Sequence, residues 1–347
     1  MEFGGLMTDQ AFIAVGGAIG PDDLHIPAQP AELKQALEHI NDLADQLDSL
    51  RASLDKAAGD EDVAGETAFA LQRVVRFSKF TAHRDVGMLR ELAATVEQEI
   101  KVLHDVQGDE LQRMRSRWEQ ARHDLMIAAK GADEPAAQQL ANRLDADITE
   151  PYVPLFRRLS GTAPEPGTGG APHAMMEGSP LAEAVHDYRR TVHNVLEEFE
   201  GAVRSVRGVE DDIRTNLHWE KRQKADDPED TPAGGSGAEA DKDPAGISGP
   251  RVLHRMLDAL EEGSGSLDNL VPALKAIDGA IVAGMLPDHD DQHPHVFQNE
   301  WEDHFQRRIR RMRVVSKTAG KMANELKRLD ADTAAQIFKD NGEPAGD

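Results

Sequence analysis

The densest concentration of side chains able to hold a metal is the run Asp288, His289, Asp290, Asp291, His293 and His295, with Glu300 and His304 close behind. Imidazole and carboxylate together suit a divalent transition metal, and a bound metal would bring Lewis-acid or hydrolytic chemistry. The spacing argues against it. Pro287 and Pro294 prevent one regular helix from presenting His289 and His293 on a common face, and the fixed ligand spacing of structural zinc motifs is missing. The ordinary reading is a solvated surface loop, so no resident metal and no cofactor is expected. Asp288, His289, Asp291, His293 and His295 are the ligands that a metal-dependent helical-bundle enzyme would use, the second alternative for this chain. Glu183 and His186 have the Glu-x-x-His spacing that di-iron bundles use in pairs, but no second copy exists to complete the set.

Other chemistries are excluded more simply. The chain has no Cys, which removes disulfides, thiolate zinc sites and Cys nucleophiles. No phosphate-binding G-x-x-x-x-G-K-[ST] loop, G-x-S-x-G elbow or H-E-x-x-H pair is present. An enzyme is not expected.

The strongest anomaly is one of charge. From His304 to Arg328 lie Arg307, Arg308, Arg310, Arg311, Arg313, Lys317, Lys321, Lys327 and Arg328, opposed only by Glu325. Nine bases against one acid give +8 in a chain of net charge −24, leaving the remainder at −32. Phe305, Ile309, Met312, Val315, Ala319, Met322 and Leu326 form an apolar stripe along the same segment, so it reads as a basic amphipathic helix. Such a helix docks on an acidic part of its own chain, binds an acidic protein surface, or lies on anionic lipid. Arg307, Arg308, Arg310, Arg311, Arg313, Lys317 and Lys321 are the expected partner-binding residues. Nucleic acid is disfavoured, because the acidic remainder repels phosphates and the segment has no aromatic platform for bases.

These residues must be carried by helices. Leu33, Ala36, Ile40, Leu43, Leu47, Leu50 and Leu54 alternate at three and four residues, the seam of a coiled coil or long-helix bundle. A second series, Leu181, Val185, Tyr188, Val192, Val195, Phe199, Ala202, Val206, Val209 and Ile213, keeps the same alternation. No strand-period segment stands out. The predicted fold is all-α: an elongated bundle of long antiparallel, coiled-coil-like helices, a smaller C-terminal helical part and disordered linkers.

The pass along the chain divides it as follows. Residues 1–29 form an irregular N-terminal segment, and 30–160 the first part of the bundle. A Gly/Pro-rich linker covers 161–179, and a long helix at 180–225 completes the bundle. An acidic, disordered linker at 226–250 leads to a C-terminal helical part at 251–330, and 331–347 is a tail. A bend or break is expected at Gln107–Gly108–Asp109, and separate helices at Arg251–Glu262 and Leu267–Met285. The last helix is expected from Val296 to Leu329.

No stretch of about 20 apolar residues exists to span a bilayer, and Phe12–Ile19 lacks the basic residues that precede a secretory signal. The expectation is a cytoplasmic protein, with signal-independent export as the alternative. The leading functional reading is a non-enzymatic interaction or assembly protein, a scaffold or adaptor. Its partners would be proteins, including further copies of itself, with peripheral membrane contact by a lipid-binding effector as the first alternative.

Overall fold

The computed structural model describes residues 19–59, 66–129, 134–160, 180–218, 250–287 and 295–340. After a 3-10 turn at Pro21–Asp23, the helices are α1 (Pro30–Ala58), α2 (Glu66–Asp105), α3 (Leu111–Ala128), α4 (Glu134–Thr149), α5 (Val153–Ser160), α6 (Pro180–Leu217), α7 (Pro250–Gly284) and α8 (Val296–Asp340). Among the described residues there is no strand, and no helix is long and apolar enough to cross a membrane. The chain is all-α, built on long antiparallel packed helices. Residues 161–179 of the Gly/Pro-rich linker and 226–249 of the acidic linker lie outside the described residues.

Local chemistry explains the helix limits. Pro30 opens α1, where its missing N–H costs nothing. Gly59 closes it at φ 55°, donating its N–H to the Asp55 carbonyl at 3.3 Å. Every residue of the α1 seam is buried, as are Tyr188 through Ile213 of the α6 series. Of the bend or break expected at Gln107–Gly108–Asp109, the break does not occur. The chain stays helical through a π turn, Val106–Glu110, that joins α2 to α3. The extra residue aims the Gln107 amide at the Ile26 and Ala28 carbonyls, 2.9 and 2.8 Å away, which gives an irregular stretch hydrogen-bond partners it would otherwise lack. The expected gap between helices at 262–267 is also absent. α7 runs unbroken through Gly263 and Pro272, and α8 extends past Leu329 to Asp340.

The helices form two compact units, each gathered from three stretches of chain. The first comprises Met1–Gln35, Thr95–Thr215 and Ala280–Pro294; the second, Ala36–Ala94, Asn216–Gly279 and His295–Asp347. In the first, α3 lies antiparallel to α6 and to α4. Trp118 donates its indole N–H towards Asp145 (3.2 Å) and the Tyr188 hydroxyl (3.1 Å), and Tyr188 in turn donates to Asp145. All three are buried, and Arg122 stands 3.7 Å from the same carboxylate. Gly284 is required there, since a Cβ would fall 2.5 Å from Leu33 Cγ.

The second unit is a four-helix arrangement. Gln72 and Lys79 of α2 reach Ala58 and Asp55 of α1. Asp85 of α2 meets His304 and Arg308 of α8, and Arg313 of α8 pairs with Asp268 of α7 at 2.9 Å. Gly263 of α7 abuts Leu50 of α1 and Met312 of α8. Neighbours in the ring α1–α2–α8–α7 therefore run antiparallel, with α2 beside α8 and α1 beside α7.

Candidate interaction face

Charge is divided across the second unit. Within 67–90, α2 carries Arg73, Arg76, Lys79, Arg84 and Arg90 against the single acid Asp85. On the other side, 36–58 holds five acids and two bases, and 250–279 five acids and three bases. The α2/α8 side is basic and the α1/α7 side acidic.

The one acid of the basic stretch is turned inward. Asp85 is fully buried, with side chains of His304 and Arg308 only 5% and 7% exposed. The carboxylate lies 3.0 and 3.2 Å from His304 Nε2 and accepts a hydrogen bond from Arg308, which also donates to the Ser78 carbonyl at 3.2 Å. Burial disfavours the ionised Asp85, but the charges of His304 and Arg308 outweigh it and hold its pKa below the ordinary carboxylate range. Burial lowers the pKa of His304 as well, against the pull of Asp85. This cluster fixes α8 on α2 and takes the one acid of residues 67–90 away from the outer face of α2.

What remains outside is basic and aromatic. Phe69 and Phe80 are 62% and 48% exposed. With Arg73, Arg76 and Arg90 they follow helical spacing along the outward side of α2, and all three arginines are exposed. Arg311 of α8 lies over the Phe77 ring at 4.4 Å, carrying the basic face across to α8. Towards α1, Arg51, Asp55, Arg76, Lys79, Phe80 and His83 line a shallow groove of about 380 Å³. Among the described residues Asp48 and Asp55 answer cations there, through Arg51 (2.7 Å) and Lys79.

The residues singled out from sequence separate on folding. Arg307, Arg310, Arg311, Lys317 and Lys321 are exposed on α8, Arg307 beside Asp303 at 3.9 Å. Arg313 is engaged by Asp268. Arg308 is interior and takes no part in a surface patch, because it falls on the same side of α8 as the buried Phe305 and Met312. Among the described residues no group of three or more metal-ligating side chains converges. Asp288, His289, Asp291 and His293 lie outside the described residues. His295, at φ 69°, places Nδ1 2.7 Å from Asp278. Glu183 and His186 are exposed. The basic run of α2 and its two exposed Phe were missed from sequence, although five bases against one acid in 24 residues is a countable signal.

A second buried acidic group sits in the first unit. Glu99 is fully buried, and neither carboxylate oxygen has a hydrogen-bond partner among the described residues. Burial, then the nearby charge of Glu210, pushes its pKa up to about 8. Glu210 accepts from the Leu286 N–H at 2.5 Å. Among the described residues no third metal-ligating side chain joins the pair. The chain matches no known protein family, no curated protein and no solved structure.

Proposed function

We propose that this chain is a non-enzymatic interaction or assembly protein, a scaffold or adaptor, whose partner-binding surface is the basic, aromatic α2/α8 side of the second unit. The observation that carries the reading is the inward turn of Asp85. Arg73, Arg76 and Arg90 of α2 are exposed while the one acid of residues 67–90 is buried, in a chain of net charge −24. The partner is an acidic protein surface. Arginine supplies directional donors to carboxylates, and Phe69 and Phe80 supply apolar anchors of the kind that dominate interface energetics. The test is titration of the full chain with poly-glutamate at low salt, beside the variant Arg73→Glu/Arg76→Glu/Arg90→Glu. The native chain should bind in a salt-sensitive manner, and the variant about tenfold or more weakly with unchanged helicity. Equal binding by the two overturns the reading.

The exposure of Phe69 and Phe80 among bases also favours a second reading, peripheral contact with anionic lipid. Flotation with phosphatidylserine vesicles at low salt separates the two, since lipid contact requires co-flotation that Phe69→Ser/Phe80→Ser loses.

A further inference from the structure

We infer that the basic face of α2 is covered in the resting chain by the chain's own acidic stretch, residues 226–243. The inference rests on the basic face being a binding surface and assigns its first occupant.

Three observations carry it. The first is complementary charge: 226–243 holds Asp226, Asp227, Glu229, Asp230, Glu239, Asp241 and Asp243 against Lys242 alone. Among the described residues of the second unit the α2/α8 side is basic and the α1/α7 side acidic. The second is tethering. His218, the last described residue before the stretch, lies 3.0 Å from Glu300 at the start of α8, and Pro250 opens α7. Both anchors belong to the second unit. Asp278 of α7 faces the Gln298 N–H at 3.4 Å, so the His218 anchor is level with the far end of this unit's α7 segment. Pro250 is 28 residues from Asp278, about 42 Å at the helical rise. The anchors of residues 219–249 therefore lie at opposite ends of the four helices, and a stretch of that length has about 100 Å of reach.

The third observation is register. The α2 face from Phe69 to Arg90 covers about 32 Å along the same direction. Its Arg90 end is level with the start of α8, because Asp85 pairs with His304. Going along the stretch in sequence, the bases Lys221, Arg222 and Lys224 come first. The acidic run follows them in sequence, the order the proposed contact requires of a stretch entering from the Arg90 end. A tether of this length holds its ends at millimolar effective concentration, so a free acidic partner must compete with a built-in one.

The absence of cysteine allows the test on the full chain. Ser236→Cys is spin-labelled together with Gly87→Cys on α2, or with Gly265→Cys on α7. Both glycines have open space for a side chain, so neither change disturbs packing. The 236–87 distance should be the shorter and should lengthen in 1 M salt, where screening acts beyond about 3 Å. In parallel, replacing the seven acids by Asn and Gln should tighten poly-glutamate binding about tenfold, and this gain should vanish when Arg73, Arg76 and Arg90 are reversed. A 236–87 distance no shorter than 236–265, or unchanged affinity on neutralisation, overturns the cis contact while leaving the binding face standing. Poly-glutamate binding that ignores the reversal of Arg73, Arg76 and Arg90 overturns the face itself.

Discussion

Asp85 and His304 are 219 residues apart in sequence, yet a carboxylate oxygen of one lies 3.0 Å from Nε2 of the other, both cut off from solvent. Arg308, one turn further along α8, completes the cluster. Removing one member of a buried ion pair strands the other, whereas replacing both by apolar groups of similar size removes the desolvation cost as well. Asp85→Asn should therefore cost about 3–5 kcal/mol in urea unfolding, and Asp85→Leu/Arg308→Met should recover most of that loss. A double variant no more stable than Asp85→Asn contradicts this account.

The same cluster sets an acid sensitivity. Burial holds the pKa of folded His304 below 6.5, the value the unfolded chain would show. As pH falls through 6.5 the unfolded state takes up the proton first, so stability drops with falling pH. The depressed pKa of Asp85 adds a further loss below 3.8 as its carboxylate is titrated. Unfolding free energies measured from pH 7.5 to 5.5 should decline less steeply for His304→Gln than for the native chain. Parallel profiles would refute the assignment.

Glu99 works in the opposite direction. Its pKa of about 8 when folded stands above the 4.5 of an unperturbed Glu. Between those values the unfolded chain gives up the proton first, so this group erodes stability as pH rises, and above pH 8 the penalty stays at its full size. Glu99→Met removes the buried carboxyl at similar volume. It should raise stability by about 1–4 kcal/mol at pH 8.5 and by little at pH 5. A variant less stable than the native chain at pH 8.5 would show that Glu99 is held by a compensating partner.

How far the fold could be read follows from which interactions are local. The seams of α1 and α6 lay open to reading because periodicity within one helix reports burial directly. Gly263 and Gly265 read as a break because a helix-weakening residue was judged without its neighbours. At Gly263 the Leu50 and Met312 side chains fill the space a Cβ would take. Arg308 was grouped with its basic neighbours by charge, though its position between Phe305 and Met312 on the apolar stripe already pointed inward. Nothing local distinguishes Asp85, whose partners come from a distant helix. The division of charge between α2/α8 and α1/α7 required knowing which helices are neighbours.

The assembly of the second unit from three separated stretches has a consequence for biosynthesis. Asp85 must wait for Arg308, 223 residues downstream, before its charge is answered. At about 5–20 residues per second that interval is roughly 11–45 s on the ribosome. Throughout it the residues of α1 and α2 that are buried in the finished fold have no α8 to close against, so apolar surface stays open on the nascent chain until translation has passed Arg313.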